Sequence, residues 1–219
     1  MTLERLLPKI LAVKRLPGAD PALLRAYGAD PDRHRALGLI TVDQDDPTYV
    51  ALDEATKHAD VDVVYARSFY AGSRHASGAL SGEILGVIAG PDVAEVDAGL
   101  DALIRCLEHD ACFYAANDDA SIAVFPHVIA SLGRYLSAAA GLSPGEPMAY
   151  LVAPPIEHTI ALDYALKAAE VRAMKVFPPP TETNFAAAYL AGELYACEAA
   201  AMAYARAVVE VGRQPRERG

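Results

Sequence analysis

Apolar positions along this chain follow an order of strand-like and helix-like runs that is played twice. In the first pass, ALGLITV (36–42) is a continuous apolar run bounded by turn residues and predicts a buried strand. Asp46-Pro47 predicts a helix start, with one acid of the preceding cluster as its cap, and the helix runs through TYVALDEATKHA to about residue 59. The β-branched run VDVVYAR (61–67) predicts a strand, and EILGVIAG (83–90) its partner. Between them lies ARSFYAGSRHASGALSG (66–82), a polar stretch far longer than an ordinary hairpin connection of about 2–5 residues. From Pro91 to about Glu108, Val96, Leu100, Leu103, Ile104 and Leu107 form one apolar helix face. Upstream, KILAVKRL (9–16) suits a strand or a short helix equally. A further helix begins at Asp20-Pro21 and is ended by Gly28 and Asp30-Pro31.

The second pass has the same order. After a short strand in ACFYAAN and a strand then helix in SIAVFPHVIASLGRYLSAAAGL, MAYLVAP (148–154) stands where ALGLITV stood. IEHTIALDYALKAA is the helix, VRAMKVF the strand, PPPTETN (178–184) the loop and FAAAYLAG the partner strand. A last helix over 193–211 places Leu194, Cys197, Ala201, Ala205 and Val208 on one face. At an offset of 110, Ala51, Leu52, Asp53, Ala55, Lys57, Ala59 and Val61 match Ala161, Leu162, Asp163, Ala165, Lys167, Ala169 and Val171. Past the loop the offset falls to 102, with Ala89-Gly90 matching Ala191-Gly192, so the eight missing residues are in the loop. The chain therefore reads as two α+β copies of one unit, 1–110 and 111–219, whose loops differ most.

Composition narrows the function. Hydrophobic residues make up 53% of the 219, charged residues 22%, and no run of about 20 apolar residues occurs, so no transmembrane helix is expected. The opening MTLERLLPKILAVKRL mixes charge through its apolar residues and reads as part of the fold rather than a secretion signal. A net charge of −10 argues against nucleic acid or an anionic membrane as the main partner. Cys106, Cys112 and Cys197 have no metal-binding spacing and read as buried free thiols.

Candidate chemistry is sparse. Asp43, Asp45 and Asp46 cluster beside a helix N-terminus, where acids are more often capping or solvated than catalytic. The histidines (34, 58, 75, 109, 127 and 158) lack the spacing of a zinc site, and Ser68, Ser73 and His75 lack the turn that exposes a nucleophilic serine. No catalytic residue, metal or cofactor is expected. What remains is a pair of loops, one stiffened by Pro178-Pro179-Pro180 and one loosened by Gly72, Gly78 and Gly82. Such a pair suits the gating of an opening; two ordinary hairpin turns are the alternative.

The segments RALGLI (35–40), DDPTYVALDEATKHADVDVVYARSFYAG (45–72), SGE (81–83), AGLDALI (98–104), ANDDA (116–120), GEPMAYLVAPPIE (145–157) and PPPTETNFAAAYLAGE (178–193) together resemble the tandem-domain shell proteins of bacterial microcompartments, of the ethanolamine-utilisation type. The resemblance implies two circularly permuted microcompartment domains, each a small antiparallel sheet with flanking helices. It implies a homotrimeric tile that packs with other shell proteins around enclosed enzymes in the bacterial cytoplasm, and no enzymatic activity. It also implies a central pore gated by loops around 68–80 and 178–185, with Phe69, Tyr70, Pro178, Pro179 and Asn184 as gate residues. Ethanolamine, bound by Asp45, Glu83, Phe113 and Thr183, would favour the closed state. An ammonium needs carboxylates, as in Asp45 and Glu83, and Phe113 would add a cation–π contribution of about 0.5–2 kcal/mol. Each of the four also has an ordinary role to play, in a cap, a strand start, the core or a turn. Two other readings stay open: a tile of a different amine or aldehyde microcompartment, and a duplicated small-molecule binding protein or enzyme outside any shell.

Overall fold

The computed structural model describes residues 3–69, 78–179, 181 and 183–216. Its elements, in chain order, are β1 (Arg5–Leu6), β2 (Ile10–Leu16), α1 (Pro21–Ala26), β3 (Ala36–Val42), α2 (Asp45–His58), β4 (Asp62–Ser68), β5 (Ile84–Gly90) and α3 (Val93–His109). They continue with β6 (Phe113–Ala115), β7 (Ala123–Ile129), α4 (Arg134–Ala140), β8 (Met148–Ala153), α5 (Pro155–Ala168), β9 (Arg172–Phe177), β10 (Ala186–Ala191) and α6 (Leu194–Arg213). The ambiguous run at 9–16 is a strand, because its backbone pairs with β3 in a register running from Ile10–Val42 to Leu16–Leu37. A partner some 25 residues away, not local periodicity, decides that segment.

Contacts divide the chain into two units whose segments are not contiguous. Unit 1 comprises Met1–Leu6, Cys112–Leu132 and Ala140–Gly219; unit 2 comprises Leu7–Ala111 and Gly133–Ala139. Unit 2 holds a four-stranded antiparallel sheet in the order β2-β3-β5-β4. Helices α2 and α3 pack against it, and Leu24 of α1 joins a separate apolar cluster with Leu37, Val87 and Ala89. Asp20 caps α1 as expected, its carboxylate accepting the N–H of Ala22 at 2.8 Å. The cap expected from the acids at the start of α2 is not formed. Gln44 holds the N-cap position without a side-chain bond, and Asp45 and Asp46 occupy the first turn, where negative charge meets the positive end of the helix dipole.

Unit 1 holds a six-stranded sheet in the order β1-β6-β7-β8-β10-β9. Its core with α5 and α6 is built largely of alanine, with Ala149, Ala188, Ala161, Ala165 and Ala200 fully buried around Leu151, Leu190 and Tyr204. Rings carry a second cluster. Phe113, Phe125, Tyr150, Tyr189 and Phe177, one from each of β6, β7, β8, β10 and β9, form a file with successive centroids 5.1, 5.5, 4.7 and 5.3 Å apart. Tilted and edge-to-face pairs of this kind each add about 0.5–1.5 kcal/mol beyond the area they bury.

Candidate functional site

The long loop of unit 2 is pinned at its base. The N–H of Phe69 donates to the carbonyl of Glu83 at 2.9 Å, and the N–H of Glu83 donates to the carbonyl of Val42 at 2.8 Å. The residue before it must be glycine. Gly82 has φ +64°, and a Cβ there would lie 2.1 Å from the Val42 carbonyl oxygen. The geometry that starts β5 thus fixes where the Glu83 side chain leaves the backbone.

That carboxyl is half-buried and pushed up to about 7, first by burial and then by the charges of Asp45 and Asp43. Asp45 is itself buried at the first residue of α2, where one oxygen accepts the Asp46 N–H at 2.9 Å. Burial raises its pKa too, while the Ser68 hydroxyl and the backbone N–H of Asp46 favour the ionised form. Asp43 is anchored by the backbone N–H of Lys9 at 2.6 Å. Two further residues, which the sequence did not single out for this site, complete the arrangement. The Tyr49 hydroxyl lies 2.7 Å from Ser68 Oγ and also accepts the Ser68 N–H at 3.2 Å. Tyr49 stands four residues after Asp45, one helical turn along the same face, which is the signal that would have found it. Together these groups form a half-buried acidic niche that favours a small cation able to donate several hydrogen bonds.

The other two expected ligand residues belong to unit 1. Phe113 is buried in the aromatic file and stacks on Phe185 at 5.9 Å. Thr183 is half-buried in the turn before β10. That turn is closed by Thr181, whose hydroxyl donates to the Phe185 carbonyl at 2.9 Å and whose own carbonyl accepts the Asn184 N–H at 3.2 Å. Asn184 has φ +66°, a conformation asparagine tolerates better than most residues. The structure therefore brings Asp45 and Glu83 together in unit 2, and places Phe113 and Thr183 in unit 1. Of the expected gate residues, Phe69 is half-buried at the loop base, and Pro178, Pro179 and Asn184 are exposed. Tyr70 lies outside the described residues, as do Arg74 and His75. Among the described residues no group of His, Cys, Asp and Glu is arranged to hold a metal ion. No helix among them is long and apolar enough to cross a membrane.

Comparison with known proteins gives this geometry a context. The BMC domain family matches residues 36–117. The bacterial microcompartment shell protein EutL of Clostridium perfringens is 50% identical over 208 residues, covering 95% of both chains. The chain belongs to the EutL family of microcompartment shell proteins. The crystal structure of EutL from Leptotrichia buccalis superimposes with a TM-score of 0.95 at 47% identity, covering 100% of both chains. The crystal structure of PduB, described as a trimeric microcompartment shell protein, shares the fold at 19% identity with a TM-score of 0.75, covering 94% of this chain and 89% of PduB. Membership makes this chain a structural component of an ethanolamine-utilisation microcompartment shell in the bacterial cytoplasm, not an enzyme. Its fold is the mixed α/β arrangement of tandem permuted microcompartment domains expected from the sequence.

Proposed function

We propose that this shell protein is a homotrimeric tile, with halves 1–110 and 111–219 as its two tandem domains, whose central pore is gated by the loops around 68–80 and 178–185. Ethanolamine binds through Asp45, Glu83, Phe113 and Thr183 and favours the closed pore. The observation that carries the ligand reading is the acidic niche at the base of the first gate loop. Glu83 is at once the residue that terminates the loop by backbone hydrogen bonds and the carboxyl that meets Asp45. A cation held there sits at the base of the proposed gate loop.

The ammonium of ethanolamine supplies three donors and one positive charge to Asp45 and Glu83, and its hydroxyl suits Thr183. The trimeric tile is supported by family membership and by the trimer named for PduB. Sedimentation should give a species near three times 23.2 kDa. Calorimetry should show ethanolamine binding that Glu83→Ala abolishes. Unchanged binding in that variant would remove Glu83 from the site.

A further inference from the structure

We propose that the outward face of α5 is the seat of a second copy of this chain, and that helix α1 of the second copy covers it. This rests on the trimer reading and names the contact that closes the ring. Helices α2 and α5 are the same element of the repeat, yet they are buried differently. In unit 2, α4 lies over α2. The Asp53 carboxylate accepts the backbone N–H groups of Gly133 at 2.7 Å and Leu136 at 2.8 Å. The N–H of Arg134 donates to Thr56 Oγ1 at 3.0 Å, and its guanidinium donates to the carbonyls of Thr56 and Val61, both at 2.7 Å. The approach is close enough that a Cβ on Gly133 would lie 2.5 Å from the Asp53 carbonyl oxygen and from Thr56 Oγ1.

On α5 the corresponding positions are open and apolar. Ile156, Ile160 and Leu166 replace Asp46, Val50 and Thr56 and are 67%, 38% and 38% exposed; Tyr164, in the place of Glu54, is 59% exposed. Asp163, in the place of Asp53, keeps its carboxylate at the surface, bonded to Lys167 at 2.6 Å. With Ala203, Arg206 and Ala207 of α6, the side chains of Ile156, Ile160 and Tyr164 line a groove of about 560 Å³. An apolar helix face of this kind marks an interaction surface.

The covering helix has its own repeat. Helix α4 connects β7 to β8 as α1 connects β2 to β3, and each begins five residues after its strand ends, Arg134 after Ile129 and Pro21 after Leu16. The third residue of both helices is leucine. Leu136 is 1% exposed, whereas Leu23 is 37% exposed. The repeat thus contains one completed helix-on-helix contact, α4 on α2, and the two separate halves of another, Leu23 on α1 and Ile160 on α5. A contact between unlike surfaces, repeated by rotation, closes a ring of copies. In that ring Asp163 accepts the N–H of Leu23 as Asp53 accepts that of Leu136. Asp20 stands in Gly133's place and carries a side chain there, so α1 sits further out than α4 does. Lys167, next to the residue in Thr56's place, meets the Asp20 carboxylate with opposite charge.

The test is native mass measurement of the full chain with Leu23→Asp, Ile160→Asp and the double variant Leu23→Cys/Ile160→Cys. Each aspartate variant is expected to lower the mass from about three copies to 23.2 kDa with unchanged far-ultraviolet dichroism. Oxidation of the double variant is expected to link copies covalently, against a background of buried native thiols. A trimer that survives both aspartate substitutions, and gives no cross-link in the double variant, overturns the assignment and leaves the trimer reading standing. If an aspartate variant misfolds, the double variant alone decides, and absence of linked copies counts against the contact. A wild-type chain of monomer mass removes the trimer reading and this contact with it.

Discussion

Ethanolamine binding should depend on pH between 6 and 8 because of Glu83. Its carboxyl is pushed up to about 7 by burial and by Asp45 and Asp43, whereas a primary ammonium, titrating near about 10, stays charged across this range. The proposed site should therefore bind the cation well only where Glu83 is ionised. About a tenth of the molecules are competent at pH 6, about half at pH 7 and about nine-tenths at pH 8, so apparent affinity should rise about tenfold from pH 6 to 8, about 1.4 kcal/mol. At pH 7, binding should release about half a proton, readable by calorimetry in buffers of different ionisation enthalpy. Stability without ligand moves the other way. A carboxyl whose pKa is raised on folding contributes most below its usual value of 4.5, and that contribution is lost as pH rises through about 7. The thermal shift produced by ethanolamine should accordingly be larger at pH 8 than at pH 6. Glu83→Gln should flatten both profiles and weaken binding at pH 8. An affinity that is constant from pH 6 to 8 in the wild type would refute the assignment of Glu83 as a ligand.

Three further outcomes follow from buried groups. Asp53→Ala leaves the N–H groups of Gly133 and Leu136 without their acceptor and should cost about 3 kcal/mol, lowering the melting temperature by about 6–12 °C; a shift within about 2 °C would show that the Asp53 bonds do not hold α4 in place. His158 is buried against the Tyr204 hydroxyl at 2.6 Å, and burial lowers its pKa to about 4 from an ordinary 6.5. A histidine depressed on folding contributes stability above its unfolded pKa, so about 3 kcal/mol should be lost as pH falls from 6.5 to 4, and His158→Gln should remove that part of the slope in acid titration. All three cysteines are buried, and burial pushes the Cys106 thiol up to about 12 and raises Cys197 as well. Native protein should therefore be nearly inert to a thiol reagent at pH 8 and should react at all three positions after denaturation.

Much of the fold was legible because the chain states it twice. The match of Leu52 and Asp53 to Leu162 and Asp163 identified α2 and α5 as equivalent, and Asp20-Pro21 marked the start of α1 correctly. What the pattern could not show was non-local. The strand at Ile10–Leu16 is defined by its pairing with β3, and Arg5 by its place opposite Tyr114, more than a hundred residues on. The acids before α2 are capable caps by residue type, but Gln44 holds the cap position and leaves Asp45 and Asp46 in the first turn. The candidate site was legible in part. Asp45 and Glu83 came from the family resemblance, and their shared niche was not visible in their separation along the chain. Ser68 was missed because a serine at a strand end has no distinguishing pattern until the fold sets it 2.7 Å from the Tyr49 hydroxyl, whereas the helical spacing of Tyr49 from Asp45 was a signal left unused.

The non-contiguous make-up of the two units has a consequence for synthesis. Unit 2 begins at Leu7 but takes its last segment from Gly133–Ala139, and unit 1 takes its first from Met1–Leu6. A ribosome that has finished the first half of the message has not yet supplied the piece that lies over α2, so Asp53 emerges with its partners still untranslated. β1 has no strand to pair with until β6 appears. Vectorial folding of the first half as a finished body is therefore not open to this chain. A gene cut at residue 110 would give two fragments that need each other to mature, and co-expression of the two should recover folded material that neither yields alone.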